Sequence, residues 1–311
     1  MAHLSRRRFL TIAAAAASAG GLPLGNTAHA ETTRHWLGTA LGARASIRLD
    51  HPDAYNIIIA IRAELDRLEQ IFSLYRASSE LSRLNGSGKL LHPSFEMVEL
   101  LSLCDSIHSA TSGLFDPTIQ PVWATYAENY ASERIPETTA IEAALKQTGW
   151  SKVSFSPERI TLHEAGMALT FNGIAQGFIA DKIARLLREK GLGNILVDTG
   201  EFYALGPMPN GKEWPVELKS EQSSAPYRKV SLSDAALASS ASLGTAFDPA
   251  GRVGHIIDPR SGRTAPSNFP LITVRAPTAA RADAFSTAMC LMTAEEIDKL
   301  AASQSDIRVY F

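Results

Sequence analysis

Between residues 54 and 72 the apolar side chains Ile57, Ile58, Ile61, Leu65, Leu68, Ile71 and Phe72 recur every three or four positions, the spacing of one helix face. Asp66, Arg67, Glu69 and Gln70 fall largely on the opposite, solvated side. A second helix is predicted near residues 94–112, carrying Met97, Leu100, Leu101, Cys104, Ile107 and His108. In it Cys104 reads as a small core residue and His108 as a surface or satisfied core histidine. Residues 45–49 alternate like a strand, and residues 36–39 before them read as a turn. Residues 73–85 are polar and turn-rich, with Leu81 and Leu84 at helical spacing. Residues 133–139 form a polar loop, and 140–148 a short helix ending at Gly149.

The centre of the chain has the clearest pattern. Residues 167–171 read as a strand, Asn172-Gly173-Ile174-Ala175-Gln176-Gly177 as a tight turn, and residues 178–190 as a helix capped by Gly191. An apolar strand over 194–198 follows and enters Thr199-Gly200. This strand–turn–helix–strand unit predicts an α/β arrangement with the helix covering a sheet. Further strands are predicted at 214–218, 228–232, 254–257 and 272–275, and a helix at 278–291.

The length of 311 residues allows two modest domains or one large one, with a core that needs no covalent staple. Cys104 and Cys290 are the only cysteines, which excludes a disulfide scaffold and a cysteine zinc site. A formal charge of −2 argues against nucleic acid as a partner. From residue 31 onward there is no run of about 18 apolar residues, so no membrane span is expected there. The first thirty residues stand apart. Arg6-Arg7-Arg8-Phe9-Leu10, an Ala-rich apolar run and Ala28-His29-Ala30 before Glu31 read as a twin-arginine export signal with its cleavage site. The expectation is a signal peptide over 1–30 and a periplasmic working chain over 31–311.

Four segments fit no packing period. The turn at 172–177 has two glycines that let backbone approach a ligand, with free N–H groups at the helix start that favour an anion. Many such turns only redirect the chain. Asp283 and Thr287 in Ala282-Asp283-Ala284-Phe285-Ser286-Thr287-Ala288 share a helix face and offer hard oxygen donors suited to magnesium. The plain alternative makes Asp283 a helix-start carboxylate. In His255-Ile256-Ile257-Asp258-Pro259-Arg260-Ser261-Gly262, Asp258 has turn chemistry of its own, and His255 is either a general base or a satisfied histidine. Phe115-Asp116-Pro117-Thr118 ends a helix with an acid that can bond its own backbone.

The order of these segments resembles the ApbE family of FAD:protein FMN transferases over nearly all of residues 36–296. The matches are Leu37-Gly38-Thr39, Phe72-Ser73-Leu74-Tyr75, Ser79-Glu80-Leu81-Ser82-Arg83-Leu84-Asn85, Gly113 through Thr118, Gly173 through Phe178, His255 through Gly262 and Ala282 through Ala288. The resemblance implies one α+β domain with mixed sheets flanked by helices and a central cleft for FAD. It implies a magnesium-dependent enzyme that cleaves the FAD pyrophosphate and joins FMN to a threonine or serine hydroxyl of an acceptor protein, releasing AMP. The acceptor would be a membrane-bound redox protein exposed to the periplasm. Magnesium would be held by the Gly173 carbonyl, Asp283 and Thr287. Leu37, Tyr75, Leu114, Phe115, Asp116, Thr170, Gln176 and Ile256 or Ile257 would line the FAD site. His255 would deprotonate the acceptor hydroxyl.

Several positions depart from the family pattern. Leu37 replaces a usual Met, Thr170 a usual Asp, and Gln176 a Lys or acidic residue. Gly200-Glu201 stands where Gly-Gly is commoner, and Ala238-Ser239-Ser240 where Thr-Ser-Gly is. The Asn-Gly-Ile-Ala-Gln-Gly variant with an export signal also resembles the NosX-like subgroup. The same residues would serve an FAD pyrophosphatase, with water as the nucleophile, and the substitutions at Thr170 and Gln176 leave open a flavin carrier without chemistry.

Overall fold

The computed structural model describes residues 33–41, 43–198, 201–219 and 228–311, with residues 33–40 and 43–50 described in backbone alone. The expected signal, its cleavage site, Thr199 and Gly200 lie outside the described residues. Helix α1 (Ala54–Phe72) buries Ile57, Ile61, Leu65, Leu68, Ile71 and Phe72, the stripe read from the sequence. Helix α2 (Glu80–Ser87) starts on the Ser79 hydroxyl, which accepts the Ser82 N–H, and stops at Gly88 with φ of 71°, the left-handed end that glycine adopts without strain. Helix α3 (Phe95–Ala110) is capped by Ser94 in the same way. Helices α4 (Gln120–Ala131), α5 (Thr138–Leu145), α6 (Ala175–Glu189), α7 (Ala279–Met289) and α8 (Ala294–Ser303) complete the helical set among the described residues.

The main sheet has seven strands in the order β1 (Thr33–Ala40), β2 (Ala43–Asp50), β6 (Ile195–Asp198), β7 (Phe202–Leu205), β10 (Ala235–Ser240), β11 (Ile272–Ala276) and β12 (Arg308–Tyr310). One face packs on α6 and α7, with α1 against α6 and the β1 edge of the sheet. The other face packs on a ribbon of β8 (Trp214–Leu218) and β9 (Arg228–Leu232), whose Val216, Leu218, Val230 and Leu232 meet Phe202, Ala204, Ala235 and Leu237. A third sheet joins β3 (Lys89–Leu91), β5 (Arg159–Leu162) and β4 (Val153–Phe155). Three layers, sheet against helices and ribbon against sheet, bury both faces of the central strands.

Five expectations need correction. Every described strand pair is antiparallel, so the sheets are not mixed. Helix α6 leads to a strand without bridging two parallel ones, and the α/β reading gives way to α+β. Residues 36–39 are strand and not turn, because β1 pairs with β2 along its whole length. Residues 167–171 form no strand. Met167, Leu169 and Phe171 are buried in alternation, which mimics a strand, but the Asn85 side-chain amide takes the place of a ladder neighbour. It donates to the Leu169 carbonyl and accepts the Leu169 N–H, both at 2.8 Å. Residues 254–257 carry only single bridges, from Gly254 to Ala246 and from Ile257 to Thr264. Pro259, which has no N–H to give a ladder, follows closely.

Candidate active site

Helices α6 and α7 cross at Gly177. A Cβ there would collide with the Ala279 carbonyl, so glycine permits the close approach. At this crossing the Gly177 N–H donates to the Asp283 carboxylate at 3.1 Å. One turn further along α6, Asp181 accepts the N–H groups of Ala279 and Ala280 at 2.7 and 2.9 Å, satisfying the orphan donors at the start of α7. These bonds fix the rotation of α7. Asp283 is thereby buried, with 4% of its surface exposed, and Thr287 sits one turn later beside Gly173. A Cβ on Gly173 would lie 3.0 Å from the Thr287 hydroxyl oxygen. From β10, the Ser240 hydroxyl meets Ser286 at 2.7 Å and Thr287 at 3.4 Å.

Among the described residues, the charges that act on Asp283 and Glu201 are those of other carboxylates. Burial raises the Asp283 carboxyl, against the lowering effect of the Gly177 N–H. Burial pushes Asp181 up to about 7 in spite of its two backbone bonds. Glu201, 8% exposed, is pushed well up by burial and then by the negative charge of Asp283. Among the described residues neither Asp283 nor Glu201 has an ion-pair partner. No group of three or more His, Cys, Asp or Glu side chains is gathered for a metal among the described residues. The set at α7 is instead one carboxylate, one hydroxyl and the backbone at Gly173. These hard oxygen donors, together with uncompensated buried negative charge, fit a magnesium ion.

The turn at 113–118 is held from several sides. Gly113 has φ of 84°, His108 Nδ1 lies 2.9 Å from the Phe115 carbonyl, and the Phe115 N–H donates to Thr111. Asp116 accepts from the backbone and hydroxyl of Thr118 at 2.8 and 2.6 Å, the local capping role weighed for it. The Thr170 N–H donates to the Pro117 carbonyl at 2.8 Å, which ties the turn to the segment leading into Gly173. Leu114 and Phe115 are buried, Thr170 is buried, and Gln176 is half-buried in the first turn of α6. Tyr75 is 63% exposed, on a loop whose base is Phe72, packed edge-on against Phe171 and Phe178. The side chain of Leu37 lies outside the described residues.

His255 follows Gly254, which rests against the Ser242 carbonyl where a Cβ would collide. The Thr245 carbonyl accepts both the backbone N–H of His255, at 3.0 Å, and its ring at Nδ1, at 2.9 Å. The carbonyl has no proton to give, so Nδ1 carries the hydrogen and Nε2 keeps its lone pair. Burial lowers the ring's pKa, and the bond to Thr245 opposes this. Asp258 accepts the Arg260 N–H at 2.8 Å and pairs with its guanidinium, which is turn chemistry. Ile256 is buried in the main core and Ile257 against Val122 and Tyr126.

The structure therefore brings Gly173, Asp283 and Thr287 into one cluster. It ties Leu114–Asp116 to Thr170 through backbone, and joins His255 to the cluster through the stretch from Ser240 to Ser242. Sequence reasoning missed Asp181, Thr245 and the burial of Glu201. Asp181 was accessible in principle, lying four residues after Gly177 and so on the same helix face. A surface depression of about 410 Å³ lined by residues 85–89 and 162–167 shares no residue with these groups.

Residues 41–311 match the model of the ApbE family. The FAD:protein FMN transferase of Escherichia coli K12 is 26% identical over 250 residues, covering 76% of this chain and 71% of the E. coli protein. That of Haemophilus influenzae is 28% identical over 266 residues, covering 80% and 76%. The flavin transferase ApbE of Vibrio cholerae superposes with a TM-score of 0.79 at 23% identity, covering 89% of this chain and 92% of its own. The layered antiparallel fold, the α6–α7 cluster and the match across almost the whole described chain place this protein in the ApbE family.

Proposed function

We propose that the protein is a magnesium-dependent FAD:protein FMN transferase that works in the periplasm after export. The observation that carries the reading is the buried Asp283 beside Thr287 and Gly173, without a cationic partner among the described residues, in a chain of this family. Asp283, Thr287 and the Gly173 carbonyl would hold a magnesium ion, which when bound would supply charge neutralisation and polarisation at the FAD pyrophosphate. His255 Nε2 takes the proton of an acceptor threonine or serine hydroxyl. The freed oxygen bonds to the FMN phosphorus, the bond from that phosphorus to the bridging oxygen breaks, and AMP leaves with the bridging oxygen and its charge. The Thr245 carbonyl holds the ring's other nitrogen protonated, so the base presents Nε2 throughout. Leu114, Phe115, Asp116, Thr170, Gln176 and Tyr75 are the groups available to orient the flavin, with Ile256 and Ile257 backing the His255 loop. Catalysis in this arrangement is positioning and electrostatics, as in other phosphoryl transfers. The acceptor fits a membrane-bound redox protein that exposes a threonine on the export side.

Mass spectrometry of the purified chain with FAD, magnesium and a threonine-bearing acceptor domain tests this. A gain of one FMN on the acceptor, absent with EDTA, is expected. Free FMN with an unlabelled acceptor would assign hydrolysis in place of transfer. Intact FAD under all conditions would overturn the enzyme reading.

A further inference from the structure

The chain that delivers His255 is a small hairpin. The Phe247 N–H donates to the Val253 carbonyl at 2.8 Å and the His255 N–H to the Thr245 carbonyl at 3.0 Å, with a bridge between Ala246 and Gly254. Its far end is closed by the Asp248 carboxylate, which accepts the N–H groups of Arg252 and Val253, both at 2.7 Å. So short a hairpin holds no fixed position in water by itself. It takes its place from α4. Phe247 stacks on Tyr126 with ring centroids 5.4 Å apart and planes 20° from parallel, and on Tyr130 at 6.3 Å and 12°. Trp123 meets the same ring edge-on at 5.4 Å. Residues 123, 126 and 130 are three and four apart, so the three rings share one face of α4. Beyond His255 the chain returns to the same helix. Ile257 packs with Val122 and Tyr126, and the Tyr126 hydroxyl donates to the Gly262 carbonyl at 3.1 Å.

Two moorings on α4 thus flank the imidazole. The later one, at Ile257 and Gly262, does not reach Thr245. The earlier one does, because Phe247 lies two residues from Thr245 and is bonded to the limb that returns to His255. We propose that Phe247 is a positioning residue for His255: its stack on α4 holds the Thr245 carbonyl against Nδ1, and with it the tautomer and the place of the ring. The inference rests on the role of His255 as base proposed above. Without the bond to Thr245, the proton of a neutral imidazole is free to sit on either nitrogen. A ring protonated at Nε2 has no lone pair there for an acceptor hydroxyl. Misplacement matters as well, since a shift of about 1 Å caused far from the chemistry costs roughly 10²-fold in rate.

Nitrogen-15 NMR of the histidine rings in the purified protein at a pH where they are neutral tests this, with the His255 signals assigned by their loss in His255→Ala. The original chain should show His255 as the Nδ1–H tautomer alone. Phe247→Ala removes the stack. Phe247→Leu removes it while keeping apolar cover on α4, and carries the test where the alanine variant does not fold. Each should show both tautomers in exchange, with turnover lowered by about tenfold or more and the KM for FAD unchanged. Phe247→Tyr keeps the stack and should restore the original ring and rate. A pure Nδ1–H ring in the folded Ala and Leu variants would overturn the positioning role. Mixed tautomers with full turnover would leave Phe247 positioning the ring and overturn His255 as the base. Circular dichroism on each variant separates a displaced ring from a lost fold.

Discussion

At His255 a single backbone carbonyl decides the ring's tautomer. Thr245 accepts from Nδ1, so the lone pair is at Nε2 whenever the ring is neutral. Burial lowers the ring's pKa below its ordinary 6.5, so the neutral base dominates at pH 7. The rate of transfer should then stay level through neutrality and fall only as the pH drops through a value below 6.5; a rate that falls already above pH 7 would contradict the assignment. The same shift weakens the fold in acid, because the unfolded chain binds this proton more readily than the native one. Replacement His255→Ala should lower turnover by about 10²–10⁴-fold, the usual contribution of a general base. A near-normal rate in a steady-state assay would reduce His255 to a packing residue. Asp116 and Asp258 illustrate the opposite outcome. Both stand in family motifs; Asp258 spends both oxygens on Arg260 in its own turn, and Asp116 commits Oδ1 to Thr118.

At the scale of elements, the α6–α7 contact positions the site. Gly177 gives both the clearance against Ala279 and the N–H that orients Asp283. The change Gly177→Ala forces the helices apart against backbone atoms that cannot rotate away, and overpacking of this kind costs about 1–3 kcal/mol. The melting temperature should fall by several degrees, since about 1 kcal/mol moves it 2–4 °C in chains approaching this size. Turnover should fall further than stability predicts, because Asp283 and Thr287 shift together. Calorimetry paired with an activity assay checks this, and a loss of stability with full activity would separate the helix contact from the site. The α1 stripe needed no tertiary partner to be read, since nineteen residues of three-to-four spacing admit no other element. Residues 167–171 and 254–257 were misread because short alternating runs describe burial and not the pairing that defines a strand.

For the whole molecule, the buried acids link folding to pH. The folded Asp283 has a raised pKa, so the native state takes up a proton that the unfolded chain releases near its ordinary value. Stability of the metal-free protein therefore falls as the pH rises from the unfolded pKa through the folded one, and the whole cost is present above it. Asp283→Asn removes that titration while keeping an acceptor for the Gly177 N–H. In EDTA the variant should melt a few degrees above the original chain at pH 8, with the gap closing toward pH 4, on the scale of about 2–4 °C per kcal/mol. Magnesium should raise the melting temperature of the original chain alone. Equal pH dependence of the two proteins in thermal melts would contradict the assignment.

Hydrophobic spacing within the chain determined α1, α3, α6 and α7, because a helix bonds to itself and its buried face repeats locally. The ordered motifs determined the family and pointed to Gly173, Asp283, Thr287 and His255. Only the tertiary structure decided that the sheets are antiparallel throughout, that Asn85 takes the place of a strand beside Leu169, and that Asp181 locks the start of α7. It alone buried Glu201. The Asn85 and Asp181 pairings join residues some eighty to a hundred positions apart, and hydrogen-bond partners at that separation leave no periodic trace in the sequence. The burial that shifts their charges exists only once the layers have closed.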